Sequence, residues 1–366
     1  MFNCLLCSQY IDQMATQRKQ VRIKQIITET NNAKTFVLET VDGTDISYRP
    51  GQFLTFIFQT RTGEERRNYS ISSSPEFDEP LSITIKRIPN GNFSRQTVDH
   101  AQVGDQLTTI GANGLFTLPS NMSQYQQFFL LAAGSGIAPV YSLLKTVLKR
   151  FPAIRVTLIY SNHSVEETIF YKGLRELQAA YPGQLEIEWL FSNAPDYTKA
   201  RLGNWLLGEL LKKYRKAPMA RCLFYLCGPF KYMRVITITL LSAGAHLSQI
   251  RKEEFVLMEP QFDLIPPDTS TREINLTLDG KNYKFQTTYP DTILKAAKKQ
   301  GIELPYSCEV GRCGACMAVC THGRVWMKLN EVLTDDDARS GRVLTCTGYP
   351  VGGDVELDFD KARLPV

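Results

Sequence analysis

The chain has 366 residues, which is too many for one ordinary domain and suits two or three. Hydrophobic residues make up 43% of it and charged residues 22%, a balance typical of globular proteins and not of disordered chains. The net charge is +5, which is much less positive than the charge of proteins with the dense basic patches that bind nucleic acid. We therefore expect no nucleic-acid partner. No apolar run approaches the roughly 18 residues that a membrane-spanning helix needs, so we expect no membrane span.

The nine cysteines bear on the compartment and on metal binding. Four of them form a spaced set near the C-terminus and the other five are scattered, a distribution unlike a disulfide framework. This favours a reducing compartment, and we expect a cytoplasmic protein. Cys4 and Cys7 form a C-x2-C pair with no second pair behind it, so a zinc site there is the lesser interpretation. The main interpretation is an N-terminal tail over residues 1–17, in which Met14 is an alternative start.

Residues 18–121 form the first predicted domain, which consists of short strands. Gly, Pro, Asn and Asp separate its β-rich runs, and this pattern predicts an antiparallel barrel or sandwich. The predicted strands are 21–27, 35–39, 53–58, 82–87 and 106–110.

Residues 122–258 form the second predicted domain, where apolar strands alternate with amphipathic helices. Such alternation predicts βαβ units and a parallel sheet. The predicted strands are 128–133, 155–160, 185–191 and 222–227. The predicted helices are 140–150, 170–180 and 205–214.

A stretch with several prolines, residues 259–272, predicts a linker to a third domain over residues 273–366. This domain begins with a predicted hairpin of strands 274–278 and 283–287, joined by the favoured tight-turn pair Asp279-Gly280. A helix is predicted over residues 292–300.

Four cysteines of the third domain have the spacing of a plant-type [2Fe–2S] ligand set, C-x4-C-x2-C and a fourth cysteine after 29 further residues. They are Cys308, Cys313, Cys316 and Cys346. Three thiolates from one tight loop can surround two irons only if the backbone wraps closely, and Gly311 and Gly314 allow this through positive φ. Zinc is the alternative, but zinc sites typically use paired C-x2–4-C units. Cys320 lies outside the pattern and is predicted to be a buried, inert thiol.

The segment Arg67-Asn68-Tyr69-Ser70 carries the residue types that a flavin needs. An arginine can neutralise a pyrophosphate, an aromatic ring can cover a flavin face, and a hydroxyl can hydrogen-bond the flavin edge. The segment resembles the R-x-Y-S motif of the ferredoxin–NADP reductase family. Taken alone, it also suits an ordinary exposed strand end.

Two further segments of the first domain resemble motifs of the same family. Lys86-Arg87 and Gly91-Asn92-Phe93-Ser94 are similar to its second phosphate motif, in which backbone N–H groups and a serine hold the FAD pyrophosphate. Residues 111–116 are similar to its G-P-x-G-x-F segment, with Ala112 in place of proline. The resemblance assigns FAD binding to Arg67, Tyr69, Ser70, Lys86, Gly91, Phe93 and Ser94.

Two motifs of the second domain point to a dinucleotide. Gly134-Ser135-Gly136, followed by Pro139, can place a pyrophosphate at a helix N-terminus, although a plain strand-to-helix turn is the alternative. Cys227-Gly228-Pro229 is similar to the family's C-G-P motif, whose cysteine lies beside the nicotinamide, although a structural cysteine explains it equally well.

The choice between NADPH and NADH depends on the segment Ser161-Asn162-His163-Ser164. It occupies the position at which proteins of this family contact the adenosine ribose. NAD-specific sites often hold a carboxylate there, whereas a 2′-phosphate needs basic or hydroxyl donors. The first carboxylate is Glu166, while Ser161 and His163 can donate and Lys172 is nearby. This pattern favours NADPH.

The order of these segments, from about residue 18 to residue 366, resembles the reductase components of multicomponent oxygenases, such as the phenylacetyl-CoA epoxidase and ketosteroid hydroxylase reductases. The resemblance implies an antiparallel β-barrel that binds FAD, an α/β parallel-sheet domain that binds NAD(P)H, and an α+β, β-grasp-like ferredoxin domain. It implies that Tyr69 and Ser70 position the flavin and Cys227 the nicotinamide. The [2Fe–2S] cluster then reduces an electron-accepting metalloenzyme, namely an oxygenase, hydroxylase or desaturase. A reductase for a hybrid-cluster or haem protein and a non-catalytic redox sensor stay open as alternatives.

Overall fold

Six antiparallel strands and one helix form the first unit of the computed structural model, which describes residues 18–60, 63–88, 91–255 and 264–362. Cys4, Cys7 and Met14 lie outside the described residues, as does the start of the predicted linker, residues 259–263. The elements are β1 (Lys19–Thr30), β2 (Ala33–Thr40), β3 (Phe53–Thr60), β4 (Gly63–Ser70), β5 (Ser82–Lys86), α1 (Asn92–His100) and β6 (Gln106–Asn113). The strand order is β4-β3-β6-β1-β2-β5, and every neighbouring pair is antiparallel.

This sheet closes into a barrel. Ile71, directly after β4, bridges to Ile83 in β5, and the N–H of Ser72 donates to the carbonyl of Ser82 at 2.8 Å. The two edge strands are thereby joined, so neither edge is left as a template for other chains. Alternate side chains of β1, β2 and β3 fill the barrel, as the two-residue period of a strand requires. They are Val21, Ile23, Phe36, Leu38, Leu54 and Phe56.

A five-stranded parallel sheet with helices on both faces forms the second unit. Its strands are β7 (Gln127–Ala133), β8 (Arg155–Asn162), β9 (Leu185–Phe191), β10 (Cys222–Cys227) and β11 (Ile250–Glu253). Its helices are α2 (Ile137–Arg150), α3 (Tyr171–Ala180), α4 (Tyr197–Ala200), α5 (Asn204–Tyr214) and α6 (Phe230–Ser242). The strand order is β11-β10-β7-β8-β9, so the chain reverses its direction of winding between β7 and β10. In open parallel sheets the crevice at the carboxyl ends of such strands is where ligands bind.

The C-terminal unit is a mixed sheet with short helices. Its strands are β12 (Arg272–Leu278), β13 (Lys281–Thr287), β14 (Met317–His322), β15 (Val325–Met327), β16 (Arg342–Leu344), β17 (Gly348–Pro350) and β18 (Val355–Asp358). Its helices are α7 (Ile293–Lys299), α8 (Asp335–Arg339) and α9 (Phe359–Ala362). Five strands have the order β13-β12-β18-β14-β16, with β12 and β18 parallel, and β15 pairs with β17. Asp279 and Gly280 both have positive φ, 51° and 68°, as the predicted tight hairpin requires.

All of the predicted strands and helices are present, but twelve of the described elements were not predicted: β4, β11, β14 to β18, α1, α4, α6, α8 and α9. Strands β4 and β11 and helices α1 and α6 carried too weak a pattern, because β4 and α1 are mostly polar and β11 has only four residues. The middle of α6, residues 235–239, consists of β-branched residues that favour a strand by themselves. Packing of Met233, Ile236 and Leu240 against the parallel sheet makes this segment helical.

The three units share their cores. Ala33 and Phe116 of the barrel region lie in the core of the parallel-sheet unit, and Leu115 packs against the core of the C-terminal unit. Lys145 of α2 is only 4% exposed and pairs with Glu79, which lies just before β5. The barrel and the parallel sheet are therefore joined by apolar packing and by a buried ion pair. Among the described residues, no helix is long and apolar enough to cross a bilayer.

The Lys145–Glu79 pair should matter for stability. In Glu79→Gln the buried ammonium loses its carboxylate, and we expect the free energy of unfolding to fall by about 1–3 kcal/mol in urea titrations. Glu76→Gln is the matched control, because Glu76 contacts the exposed Arg150 of the same helix at 3.4 Å. We expect the control to lose less than about 0.5 kcal/mol. Equal losses in the two variants would contradict a special role for the buried pair.

Candidate functional site

A cavity of about 670 Å³ lies between the barrel and the carboxyl edge of the parallel sheet. Most of the residues predicted to bind cofactors border it. They are Arg67, Tyr69, Ser70, Lys86, Gly91, Phe93, Ser94, Gly134, Gly136, Gly228 and Pro229. Three other predicted residues, Pro139, His163 and Cys227, are not part of its lining. The cavity therefore brings together predicted residues that lie 162 positions apart in the chain, from Arg67 to Pro229.

Strand β4 forms one wall of the cavity, to which it contributes Arg67 and the ring of Tyr69. The guanidinium carbon of Arg67 lies 4.8 Å from the ring centre of Phe93, and Arg67 also pairs with Glu65. Phe93 in turn packs on Phe58 with 4.3 Å between ring centres. Burial raises the pKa of Tyr69 to about 12, so its phenol is neutral and can serve as an apolar surface with a hydrogen-bonding tip. A planar, anionic ligand fits this wall.

Two helix N-termini and a lysine meet at the rim of the cavity. Gly91 caps α1, and the Ser94 hydroxyl accepts from the Ile88 N–H at 3.3 Å and donates to the Gly91 carbonyl at 3.2 Å. A Cβ added to Gly134, in the turn before α2, would lie 3.7 Å from the Lys86 ammonium. Helix N-termini and lysines attract phosphate, and α2 has no acidic side chain in its first turn. This rim therefore fits a pyrophosphate.

The turn before α2 approaches β10 so closely that only glycine fits at one position. A Cβ on Gly136 would lie 2.1 Å from the carbonyl oxygen of Cys227. Cys227 itself is fully buried, and burial, followed by the charges of Glu253 and Glu254, raises the pKa of its thiol well above the usual range. Its thiol is therefore neutral and forms part of the protein interior behind the cavity wall.

Pro139 and His163 lie farther along the parallel-sheet unit. Pro139 is buried in the first turn of α2. His163 directly follows β8, and its Nδ1 lies 3.0 Å from the hydroxyl of Ser192, which directly follows β9. The side chains of His163 and Ser192 therefore stand together at the carboxyl edge of the sheet.

Sequence reasoning missed the acidic end of β11. Glu254 and Phe255 border the cavity, and the Ser70 hydroxyl donates to the Glu253 carboxylate at 3.4 Å. Burial raises the pKa of Glu253 to about 8. Because β11 runs parallel to β10, its carboxyl end reaches the same edge as Gly228. A four-residue strand gave too short a pattern for this position to be predicted.

The four predicted cluster cysteines converge in two contacting pairs, Cys308 with Cys313 and Cys316 with Cys346. The Cys313 thiol donates to Cys308 and lowers the pKa of Cys308 to about 6, and backbone N–H groups of the loop also point at this sulfur. As predicted, Gly311 and Gly314 have positive φ, 75° and 73°. A Cβ on Gly311 would lie 2.5 Å from the Leu329 carbonyl oxygen, so the loop wraps as tightly as the spacing implied.

The paired arrangement suits the two metal ions of an iron–sulfur cluster. Each iron of a [2Fe–2S] cluster takes two protein ligands, and the backbone N–H groups around the sulfurs suit its negative charge. The residues present therefore fit a [2Fe–2S] cluster. Cys320 is half-buried, outside both pairs, and donates to the His322 carbonyl.

Comparison with known proteins assigns each unit. Three family models match in order: an oxidoreductase FAD-binding domain over residues 20–118, an oxidoreductase NAD-binding domain over residues 130–237, and a 2Fe-2S iron-sulfur cluster binding domain over residues 276–351. The ferredoxin reductase component of 3-ketosteroid-9-alpha-monooxygenase from Mycobacterium tuberculosis is 33% identical over 93% of this chain and 96% of its own length. The chain belongs to this reductase family. It is an NAD(P)H-dependent oxidoreductase that uses FAD and a [2Fe–2S] cluster.

Two further relatives agree with this assignment. A subunit of the 1,2-phenylacetyl-CoA epoxidase from Escherichia coli is 30% identical over 92% of this chain and 96% of its own length. The structure of phthalate dioxygenase reductase covers 93% of this chain and 97% of its own, with a TM-score of 0.57 and 22% identity. The latter likeness concerns the fold, and it extends over all three units of the reductase.

The raised pKa of Glu253 predicts how stability depends on pH. The folded protein keeps this proton up to about pH 8, whereas the unfolded chain releases it near the ordinary value of 4.5, so stability falls as pH rises between these values. Glu253→Gln removes this dependence. Because the carboxyl retains some solvent contact, we expect wild type to lose only about 1–2 kcal/mol more than the variant between about pH 5 and pH 8.

Urea titrations at both pH values measure this difference. The control is Glu209→Gln, because Glu209 lies on the exposed face of α5 and pairs with Lys212. The control should follow the wild-type profile. Parallel profiles for wild type and Glu253→Gln would contradict a proton held at Glu253.

Proposed function

We propose that this reductase passes electrons from NAD(P)H through FAD and its [2Fe–2S] cluster to a partner metalloenzyme, namely an oxygenase, hydroxylase or desaturase. One observation carries the proposal. The phosphate-binding cavity contacts strand β4, and so does the segment of residues 306–316 that carries three of the cluster cysteines, which we call the cysteine loop. The names of the relatives support the partner class. One is the ferredoxin reductase component of a monooxygenase, another the reductase subunit of glycine betaine monooxygenase from Pseudomonas aeruginosa.

The FAD site in this proposal is the barrel side of the cavity. Lys86 and the N-terminus of α1 hold the pyrophosphate, and Arg67 adds a positive charge beside the Phe93 ring. Tyr69 covers a flavin face, and the Ser70 hydroxyl hydrogen-bonds the flavin edge when it turns away from the Glu253 carboxyl. The full set is Arg67, Tyr69, Ser70, Lys86, Gly91, Phe93 and Ser94.

The nicotinamide dinucleotide in this proposal binds along the carboxyl edge of the parallel sheet. The turn Gly134–Gly136 and Pro139 start the helix whose N-terminus holds the pyrophosphate, and His163 meets the ribose. Gly228 and Pro229 form the wall against which the nicotinamide lies. Cys227 backs this wall with a neutral, buried thiol.

The bound groups supply the electron chemistry: FAD accepts a hydride from the nicotinamide and releases electrons singly, and the cluster carries one electron at a time. The side chains align these groups and hold protons. The Ser70 hydroxyl is directed to the Glu253 carboxyl, whose raised pKa keeps a proton there near neutral pH. The amide-lined loop around Cys308 stabilises a thiolate. We assign a cytoplasmic location, which the free state of all the described cysteines supports.

Replacing one cluster ligand tests this proposal. In Cys346→Ser we expect iron to fall from about two per FAD while FAD stays bound and is still reduced by NAD(P)H. Reduction of ferricyanide, a small acceptor that reduced flavin reaches directly, should persist. Reduction of cytochrome c, a bulky one-electron acceptor, should fall by about tenfold or more.

The matched control is Cys320→Ser, which changes a half-buried cysteine outside both thiol pairs and should retain both activities. Loss of both activities in Cys346→Ser with FAD still bound would rule out a sequential relay. Unchanged cytochrome c reduction would show that the cluster is a side branch.

The nicotinamide preference is a second test. We propose NADPH, because the carboxyl end of β8 and the residues after it offer Ser161 and His163 and no carboxylate before Glu166. Steady-state kcat/KM should therefore be higher with NADPH than with NADH. His163→Asp places a carboxylate at this edge and should shift the ratio towards NADH by about tenfold. A tenfold preference of the wild type for NADH would overturn the assignment.

A further inference from the structure

Strand β4 presents residues to the C-terminal unit as well as to the cavity. Arg67 and Tyr69 border the cavity, whereas Arg66 is not part of its lining and reaches the C-terminal unit. The Arg66 Nη1 donates to the carbonyl of Tyr306 at 3.1 Å, and its guanidinium carbon lies 3.7 Å from the centre of the Tyr306 ring. The side chain of Arg66 is only 12% exposed. This contact therefore joins the barrel to the C-terminal unit through two residues that are 240 positions apart in the chain.

A second cation holds the same ring. The Lys298 ammonium lies 3.5 Å from the ring centre of Tyr306 and pairs with Glu309 at 2.8 Å. Two cations therefore lie within 4 Å of the centre of one ring. Tyr306 is thus held by Arg66 of the barrel and by Lys298 of its own unit, a contact that we call the clamp. The clamped residue stands two positions before the cluster ligand Cys308.

Other contacts hold the rest of the cysteine loop. A Cβ on Gly314 would lie 2.8 Å from the Leu115 side chain, so the barrel touches the loop between two of its cysteines. Arg312, with 8% of its side chain exposed, contacts Glu254 at 3.6 Å and Glu331 at 2.8 Å. The Ser307 hydroxyl also donates to Asn68 of β4, so the loop is held from the barrel at three places and from the end of the parallel-sheet unit at a fourth.

We propose that Arg66 is a positioning residue for internal electron transfer, acting by clamping Tyr306 so that the cysteine loop stays docked on β4. This inference rests on the proposed function and adds to it a residue that touches neither cofactor. In this step the reduced flavin loses one electron and the oxidised cluster gains that electron. No further reactant is involved. Because tunnelling rates fall steeply with distance, a loop that leaves β4 slows this step without changing hydride transfer.

Stopped-flow kinetics of the holoenzyme test the clamp. In Arg66→Ala we expect NADPH to reduce the flavin at the wild-type rate, while the following reduction of the cluster slows by about tenfold. Arg66→Lys keeps a cation over the ring and should recover part of the rate. Tyr306→Leu should act like Arg66→Ala, and Tyr306→Phe, which keeps the ring, should act like wild type. Arg22→Ala is the matched control, because Arg22 pairs with Glu39 within the barrel.

Hydrogen exchange provides a readout that does not depend on turnover. Amides of residues 303–309 should exchange faster in Arg66→Ala and Tyr306→Leu than in wild type or Arg22→Ala, because the loop leaves β4 more often. Wild-type cluster reduction and wild-type exchange in both variants would overturn the clamp. Slower cluster reduction with unchanged exchange would overturn it too, because the effect would not come from docking. If nicotinamide did not reduce the flavin of the wild type, the proposed function would fail, and the exchange data would still decide the clamp.

Discussion

The organisation of this reductase depends on one strand, β4, which borders the cavity and also contacts the C-terminal unit. Arg67 and Tyr69 face the cavity, while Arg66 reaches Tyr306 beside the cysteine loop. A hydrogen-bonded strand is rigid, so the distance between the cavity and the cysteine loop depends on one short stretch of backbone. The bridge from Ile71 to Ile83 fixes the end of this strand by closing the barrel.

The parallel sheet depends on a second constraint, the close approach of backbones at its switch point. Helix α2 can begin beside β10 only because Gly136 has no side chain to meet the Cys227 carbonyl. The Tyr160 hydroxyl donates to the Gly134 carbonyl at 3.0 Å and steadies the same turn. These contacts aim the helix N-terminus at the cavity, where the barrel contributes Lys86. The anion-binding rim is thus shared by two units, which explains why they are joined by a common core and a buried ion pair.

Burial disfavours charge at both centres, but at one cysteine of the loop hydrogen bonds outweigh it. Behind and beside the cavity it raises the pKa of the Cys227 thiol and of the Glu253 carboxyl, so both are largely neutral near pH 7. The positive rim therefore keeps its attraction for phosphates. In the cysteine loop, hydrogen bonds from Cys313 and from backbone N–H groups outweigh burial and lower the pKa of Cys308. Such donors stabilise negative sulfur, which is the form that binds iron.

Local patterns in the sequence determined a large part of this protein. The spacing of Cys308, Cys313, Cys316 and Cys346 predicted the metal centre, because ligand spacing within a tight loop leaves few other arrangements. The pair Asp279-Gly280 predicted its hairpin, and the alternation of apolar strands with helices predicted the parallel sheet, because each of these signals is contained in a short window. Glycine-rich turns and the segment 67–70 predicted most of the residues that border the cavity.

What only the tertiary structure decided are the features that depend on distant parts of the chain. Strand β4 is polar and exists because it pairs with β3 at the barrel edge, and α6 is helical despite its β-branched middle because its apolar face packs on the sheet. Glu253 reaches Ser70 across 183 residues, and Arg66 reaches Tyr306 across 240. Neither partner has a spacing signature, since a contact between side chains on separate units depends on how those units dock and on nothing local in the sequence.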